Sequence, residues 1–313
     1  MYKHMIVPLD GSAWAEAILP LVVQLSRYMR ARVTLLHIIE QNAPQKIHGE
    51  RHLTTAAEAV VYLEQVKEKF FPFSIEVRAH VHETAVDDVA PSIVAHGAEF
   101  DGDLIAICTH GRGGLPRFIF GSLAQQVLNL GRKPVLMLYP GKLEKPEKFD
   151  PLNILVPLDG NPEHEQGFHV ALQLAQIGSA SLHLVMVVHT ISTLPGEQTA
   201  SAIRLPSTVN TMLEIHQALG LYYLQGLIRS ANETGIKITM EARRGDPARV
   251  IVKAARRAGS NLIVMATHGK TSTESFWFGS LTPKVARRSH IPLLLVPVGE
   301  RSNTGRDEQQ GGK

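Results

Sequence analysis

Short apolar runs and amphipathic stretches alternate along the chain, and the alternation restarts after the midpoint. The apolar runs predict strands near 4–9, 33–39, 75–81, 103–108 and 134–139, then near 153–158, 181–188, 237–242, 261–266 and 292–297. Several are aliphatic at successive positions rather than at every other one, the pattern of parallel strands covered on both faces. Between them, residues 13–30, 54–70, 85–98 and 122–131, and again 162–176, 207–234, 247–258 and 281–289, place apolar side chains at helical spacing. Asp246-Pro247 supplies a cap followed by Pro at the first helical position, and Pro283 is expected in the first turn of a helix that opens after Gly279-Ser280. Strands and helices in strict alternation imply right-handed crossovers and an α/β fold. The reading is two tandem doubly wound domains, each with a five-stranded parallel sheet.

The second half restates the motifs of the first. Met5-Ile6-Val7-Pro8-Leu9-Asp10-Gly11-Ser12 answers to Ile154-Leu155-Val156-Pro157-Leu158-Asp159-Gly160-Asn161. Thr109-His110-Gly111, nine residues and Gly121-Ser122 answer to Thr267-His268-Gly269, nine residues and Gly279-Ser280. The offset grows from 149 residues at Asp10 and Asp159 to 158 at Gly121 and Gly279, so the second copy holds nine additional residues, expected in the Thr-, Ser- and Pro-rich segment 189–207. Residues 1–140 and 153–298 are therefore read as two domains, with 141–152 a Pro- and Lys-rich linker and 299–313 a polar tail expected to be disordered.

Composition narrows the class. With 44% hydrophobic and 19% charged residues, each half has enough apolar content for its own core. The balance of 32 basic against 29 acidic side chains gives no sign of a nucleic-acid or acidic-membrane partner. Arg243, Arg244, Arg256, Arg257, Arg287 and Arg288 are spread over several segments and read as solvated faces. Cys108 is the only cysteine, which excludes an intramolecular disulfide and suits a reducing cytosol. No run resembles a leader or approaches the length of a membrane span, so a soluble cytoplasmic protein is expected.

In an open α/β sheet, ligands sit outside the carboxyl ends of the strands where strand order reverses. Asp10 and Asp159 fall just past such an end and could accept hydrogen bonds from a ribose hydroxyl or an adenine amino group; a turn leading into the first helix is the plainer alternative. Gly111 and Gly269 allow the backbone close to a ligand, and Gly121-Ser122 and Gly279-Ser280 would offer N–H and hydroxyl donors where a helix dipole favours an anion. Glycines also end strands and serines cap helices without any ligand. His37, His183 and His189 form no metal-ligand spacing, and His110 and His268 in the repeated loop need do no more than bond the backbone. Cys108 has no base at a recognised spacing, and no Walker lysine or nucleophile elbow is present. No catalytic residue and no metal ligand is therefore assigned.

These motifs resemble those of the universal stress proteins, in the tandem form with two such domains in one polypeptide, and the resemblance covers almost the whole chain. The family's nucleotide-binding pattern is Gly-x-x-Gly, nine residues, then Gly-Ser or Gly-Thr. Here Gly111 with Gly121-Ser122 and Gly269 with Gly279-Ser280 keep the later parts, while the first glycine is Cys108 in one half and Ala266 in the other. The resemblance implies a Rossmann-like, adenine nucleotide α-hydrolase-like fold. It also implies an adenine end held by the acid after strand one and a backbone group at the end of strand two. Those are Asp10 and Ile38, beside Pro8, in the first half, and Asp159 and Val187, beside Pro157, in the second. Phosphates would lie on the glycine loop with His110 or His268 and on the start of the last helix, at Ser122-Leu123 or Ser280-Leu281. Thr282 stands where ATP-binding relatives often carry a hydroxyl; Ala124 stands there in the first half. Ala266 and Thr282 favour the second site.

The expectation is a cytoplasmic stress-response protein that binds ATP or a related adenine nucleotide, with Mg²⁺ as a companion on the phosphates, and uses occupancy as a signal. The two domains should pair as an intramolecular pseudo-dimer about their last strands, and a homodimer is left open. Enzymatic activity would be at most slow ATP hydrolysis. The alternative is a structural or chaperone-like stress protein whose sites have decayed. A nucleotide transferase of the wider α-hydrolase type would want a Ser-Gly-Gly-x-Asp-Ser-like loop, which Asp10-Gly11-Ser12 is not.

Overall fold

The computed structural model describes residues 1–41, 43, 46–47, 50–109, 122–139, 151–194, 202–267 and 276–298. The tail 299–313, linker residues 141–150 and the loop residues 110–121 and 268–275 lie outside them. In the first half the elements are β1 (His4–Pro8), α1 (Ala13–Glu16), α2 (Leu19–Met29), β2 (Arg32–Glu40), a small hairpin β3 (Lys46–Ile47) and β4 (Glu50–Arg51), α3 (Ala56–Phe70), β5 (Val77–Val86), α4 (Val89–Glu99), β6 (Leu104–Cys108), α5 (Ser122–Leu130) and β7 (Val135–Leu138). The second half has β8 (Leu152–Leu158), a 3-10 turn at Pro162–Glu165, α6 (Gln166–Ile177), β9 (Ala180–Val188), α7 (Pro206–Ser230), β10 (Lys237–Arg244), α8 (Pro247–Arg257), β11 (Leu262–Thr267), α9 (Phe276–Ala286) and β12 (Leu293–Pro297).

Among the described residues ten strands form one sheet, in the order β10-β9-β8-β11-β12-β7-β6-β1-β2-β5, and β3 pairs with β4 apart from it. Within each half the pairing is parallel throughout, and the halves meet where β12 runs antiparallel to β7, with Leu294 opposite Leu136. Alternate strand residues feed two apolar layers. Met5 and Val7 go to one with α2, α3, α6 and α7, while Ile6 goes to the other with α4, α5, α8 and α9. That two-faced burial is why the strands are apolar at successive positions. The first layer runs across both halves: the Tyr28 hydroxyl of α2 donates to the Leu174 carbonyl of α6 at 3.0 Å.

Several boundaries differ from expectation for local reasons. The predicted helix 13–30 is two helices, the second carrying Pro20 in its first turn. Leu152, assigned to the linker, already belongs to β8. The additional length of the second half resides mainly in a helix: α7 has 25 residues against 15 in α3. The amphipathic stretches 54–70 and 207–234 already carry this difference, so the additional residues lie in the helix rather than in the segment 189–207 where they were expected. Asp246 caps α8 as expected, its carboxylate accepting from the Arg249 N–H. Arg243 and Arg257 both pair with Glu241, at 2.7 Å each, which occupies part of the arginine set on the far edge of the sheet.

Among the described residues four histidines are held below their usual pKa, with burial as the first cause in each. His4 is an example: its Nδ1–H donates to the Phe100 carbonyl and its Nε2 accepts from Thr34, with Arg32 further opposing a charge. The others are His37, His80 and His189. A depressed histidine takes its proton in the unfolded chain first, so stability is complete above about pH 6.5 and is lost as pH falls through that value. The urea midpoint should therefore drop between about pH 7.5 and 5.5 and stay level between about 7.5 and 8.5.

Candidate functional site

In each half the strand order reverses between the first strand and the fourth, between β1 and β6 and between β8 and β11. The turns after β1 and β8 flank these two points. Gly11 and Gly160 adopt φ of +90° and +88°, a left-handed geometry that glycine takes without a Cβ penalty and that turns the chain sharply into the following helix. Asp10 Oδ1 accepts from both the N–H and the hydroxyl of Ser12, at 2.9 and 2.6 Å, and Ser12 in turn caps α1. Asp159 Oδ1 accepts from the Asn161 N–H at 3.0 Å, and its Oδ2 accepts from His164 Nδ1–H at 2.7 Å. Both acids thus serve the turn, the plainer of the two expected roles. Asp159 is the more committed.

The strand ends opposite these turns are tightly filled. Cys108 ends β6, 6% exposed, and burial pushes its thiol well above the usual range, with the Asp10 carboxylate adding to the effect. It is a packed thiol. Ala266 in β11 is 1% exposed, and α6 passes so close that a Cβ on Gly167 would lie 3.0 Å from the Ala266 nitrogen. Ile38 and Val187, near the ends of β2 and β9, bury their side chains in the second apolar layer.

The halves differ in what covers the turn. In the first, a Cβ at Gly11 would lie 2.9 Å from Leu53 Cγ, so the segment after the β3–β4 hairpin rests on the turn. His52 beside it is 2% exposed, its ring 6.4 Å from that of His37, whose Nδ1–H donates to the Leu9 carbonyl. In the second half the nearest atom to the same position on Gly160 is the mobile end of a side chain, Met186 Cε at 3.6 Å. Sequence reasoning missed Leu53 and His52 because nothing local marks a loop residue that folds back across forty positions.

The last helices also differ. α5 begins at Ser122, as expected from Gly121-Ser122, with Leu123 half-buried and Ala124 buried. α9 begins at Phe276, earlier than expected, so Gly279 and Ser280 lie inside it and Pro283 is an interior proline rather than a first-turn one. Residues 276–282 contain no proline, and the single glycine costs a helix only about 1 kcal/mol, so the helix extends back across the aromatic run. The N–H groups of this helix start that have no partner within the helix consequently belong to the residues just ahead of Gly279. Leu281 and Thr282 are buried, and the Thr282 hydroxyl makes no hydrogen bond among the described residues. Its counterpart Ala124 has no such group to satisfy. Of the expected site residues, His110, Gly111, Gly121, His268 and Gly269 fall outside the described residues.

Among the described residues no cluster of three or more His, Cys, Asp or Glu could hold a metal ion, and no helix is long and apolar enough to cross a membrane. A cleft of about 790 Å³ sits at the opposite, amino ends of the first-half strands. Its Lys3, Arg27, Arg30 and Arg32 are interleaved with Glu76, Asp101 and Asp103, and neither turn contributes to its lining.

The family model for the universal stress protein family matches residues 1–138 and 152–297. Universal stress protein MJ0531 of Methanocaldococcus jannaschii is 31% identical over 143 residues, covering 46% of this chain and 80% of that protein. A universal stress protein of Mycolicibacterium smegmatis is 21% identical over 299 residues, covering 93% of this chain and 96% of the relative. Among solved structures, a universal stress protein from Archaeoglobus fulgidus superposes with a TM-score of 0.65 at 17% identity, covering 95% of this chain and 98% of the other.

Proposed function

The chain belongs to the universal stress protein family, with two tandem copies of the family domain, and from that premise we propose that it is a binding module for ATP or a related adenine nucleotide whose occupancy is the signal. The observation that carries this reading is the orphaned hydroxyl of Thr282, buried in α9 next to the repeated glycine motif. A buried polar group without a partner costs about 1–3 kcal/mol, and a phosphate oxygen is an acceptor that would recover it. Asp159, at the reversal point between β8 and β11, would meet the adenosine end, with Val187 lending backbone. Any Mg²⁺ would arrive on the phosphates. Cytoplasmic residence follows from the same family reading.

The second site is the stronger one in this proposal. Leu53 stands over the first turn, and in this reading it must move before a ring can lie there. In the second half the obstacle among the described residues is the hydrogen bonding of Asp159 itself, and the His164 bond is exchangeable like for like for a bond to ligand. Apolar chain displaced into water has no such replacement, and a fully buried Leu side chain is worth about 1.5–3 kcal/mol. The antiparallel pairing of β7 with β12 within the one sheet supports reading the two halves as an intramolecular pseudo-dimer.

Mass spectrometry of small molecules released on denaturing the purified protein tests the ligand class, and an adenine nucleotide is the expected result. Titration calorimetry tests the carrier: Thr282→Ala should weaken ATP about tenfold, the equivalent of about 1.4 kcal/mol. Equal affinity in the variant would remove the hydroxyl from the site.

A further inference from the structure

The long helix α7 presents a second apolar seam, on the side away from its own core. It buries Leu213, Gly220, Leu224 and Leu227, yet Met212, Ile215, Leu219 and Tyr222 are 54%, 54%, 58% and 70% exposed. With Thr208 and Gly226 these occupy every position of a 4-3-4-3-4 spacing from 208 to 226, the narrow repeat of a coiled-coil seam rather than the broad stripe of a helix lying on a sheet. Solvated helix faces are normally charged. Between Ser207 and Ile228 the sole Asp, Glu, Lys or Arg is Glu214, off the seam. Gly226 adds an independent sign: a Cβ there would meet nothing within 4 Å, so this fold does not need the glycine, although it costs the helix about 1 kcal/mol relative to Ala. A close-approaching second helix does need it.

We infer that α7 is the contact face of a homodimer, pairing antiparallel with α7 of a second copy about a two-fold axis. An isologous contact opposes each surface to itself, so it requires flanks without charge of one sign. The seam's flanking positions, Val209, Thr211, His216, Ala218, Tyr223 and Gln225, contain no carboxylate, Lys or Arg. An anionic lipid surface would instead select Lys and Arg beside the seam. Antiparallel pairing sets Met212 against Tyr222 and Ile215 against Leu219, twice each, and closes both ends with Gly226 against Thr208. Parallel pairing would stack Gly226 on itself and leave a gap.

Light scattering on the full chain across about 5–500 µM should show a reversible monomer–dimer equilibrium, in the range of small interfaces. Leu219→Glu, at an exposed position, should leave the thermal melt unchanged and shift the dimer dissociation constant at least tenfold upward. In the background of buried Cys108, the double variant Met212→Cys with Tyr222→Cys should give a disulfide-linked dimer under mild oxidation, and Tyr222→Cys alone should not. A monomer at every concentration, a dimer indifferent to Leu219→Glu, or efficient cross-linking by Tyr222→Cys alone would overturn the inference. So would flotation of the monomer with phosphatidylcholine vesicles that Leu219→Glu abolishes.

Discussion

Gly279→Asp should lower ATP affinity of the second half by a hundredfold or more while leaving the protein folded. Gly279 lies in the first turn of α9, where a carboxylate interacts favourably with the helix dipole, so the helix itself should tolerate the change. The same carboxylate would face the phosphates. Two unit charges about 5 Å apart repel by about 3 kcal/mol at an effective dielectric near 20, and a hundredfold loss corresponds to about 2.7 kcal/mol. Calorimetry on the folded variant is the measurement. Unchanged affinity would detach the phosphates from this helix and leave the decayed-site reading in its place.

Leu136→Ala should destabilise the whole molecule by about 2–5 kcal/mol, the usual range for emptying a fully buried leucine site. Leu136 has no exposed surface and sits opposite Leu294 where the halves join. The variant therefore opens a cavity shared by both. Trp14 and Trp277 are the two tryptophans, one in each half, so single Trp→Phe variants report each half separately. Both reporters should move to the same lower urea midpoint. A shift confined to the Trp14 signal would mean that the halves unfold independently and that the junction contributes little.

The strands and most helices were readable in the sequence because both faces of the sheet are buried, which writes an unbroken aliphatic signal for each strand. The duplication gave the two turns and the two loops their correspondence. Long-range placement was not readable. Nothing around Val135 or Leu293 distinguishes a strand that ends a sheet from one that continues it into another, and nothing around Leu53 reveals that it lies on Gly11. The start of α9 was misplaced because Gly279-Ser280 carries a capping signature, while the amides without a partner within the helix lie in the aromatic run ahead of it. For the turn acids the residues alone favour a turn and cap, while the family resemblance implies a ligand contact, and their hydrogen bonds to Ser12, Asn161 and His164 show the structural role in place.

Because β7 and β12 run in opposite directions, the carboxyl ends of the first five strands and of the last five emerge on opposite rims of the sheet. The two turns therefore look away from each other. A small molecule held at one turn lies on the opposite rim from one held at the other, and under the proposed function a partner protein docking on one rim would meet only the ligand of that rim.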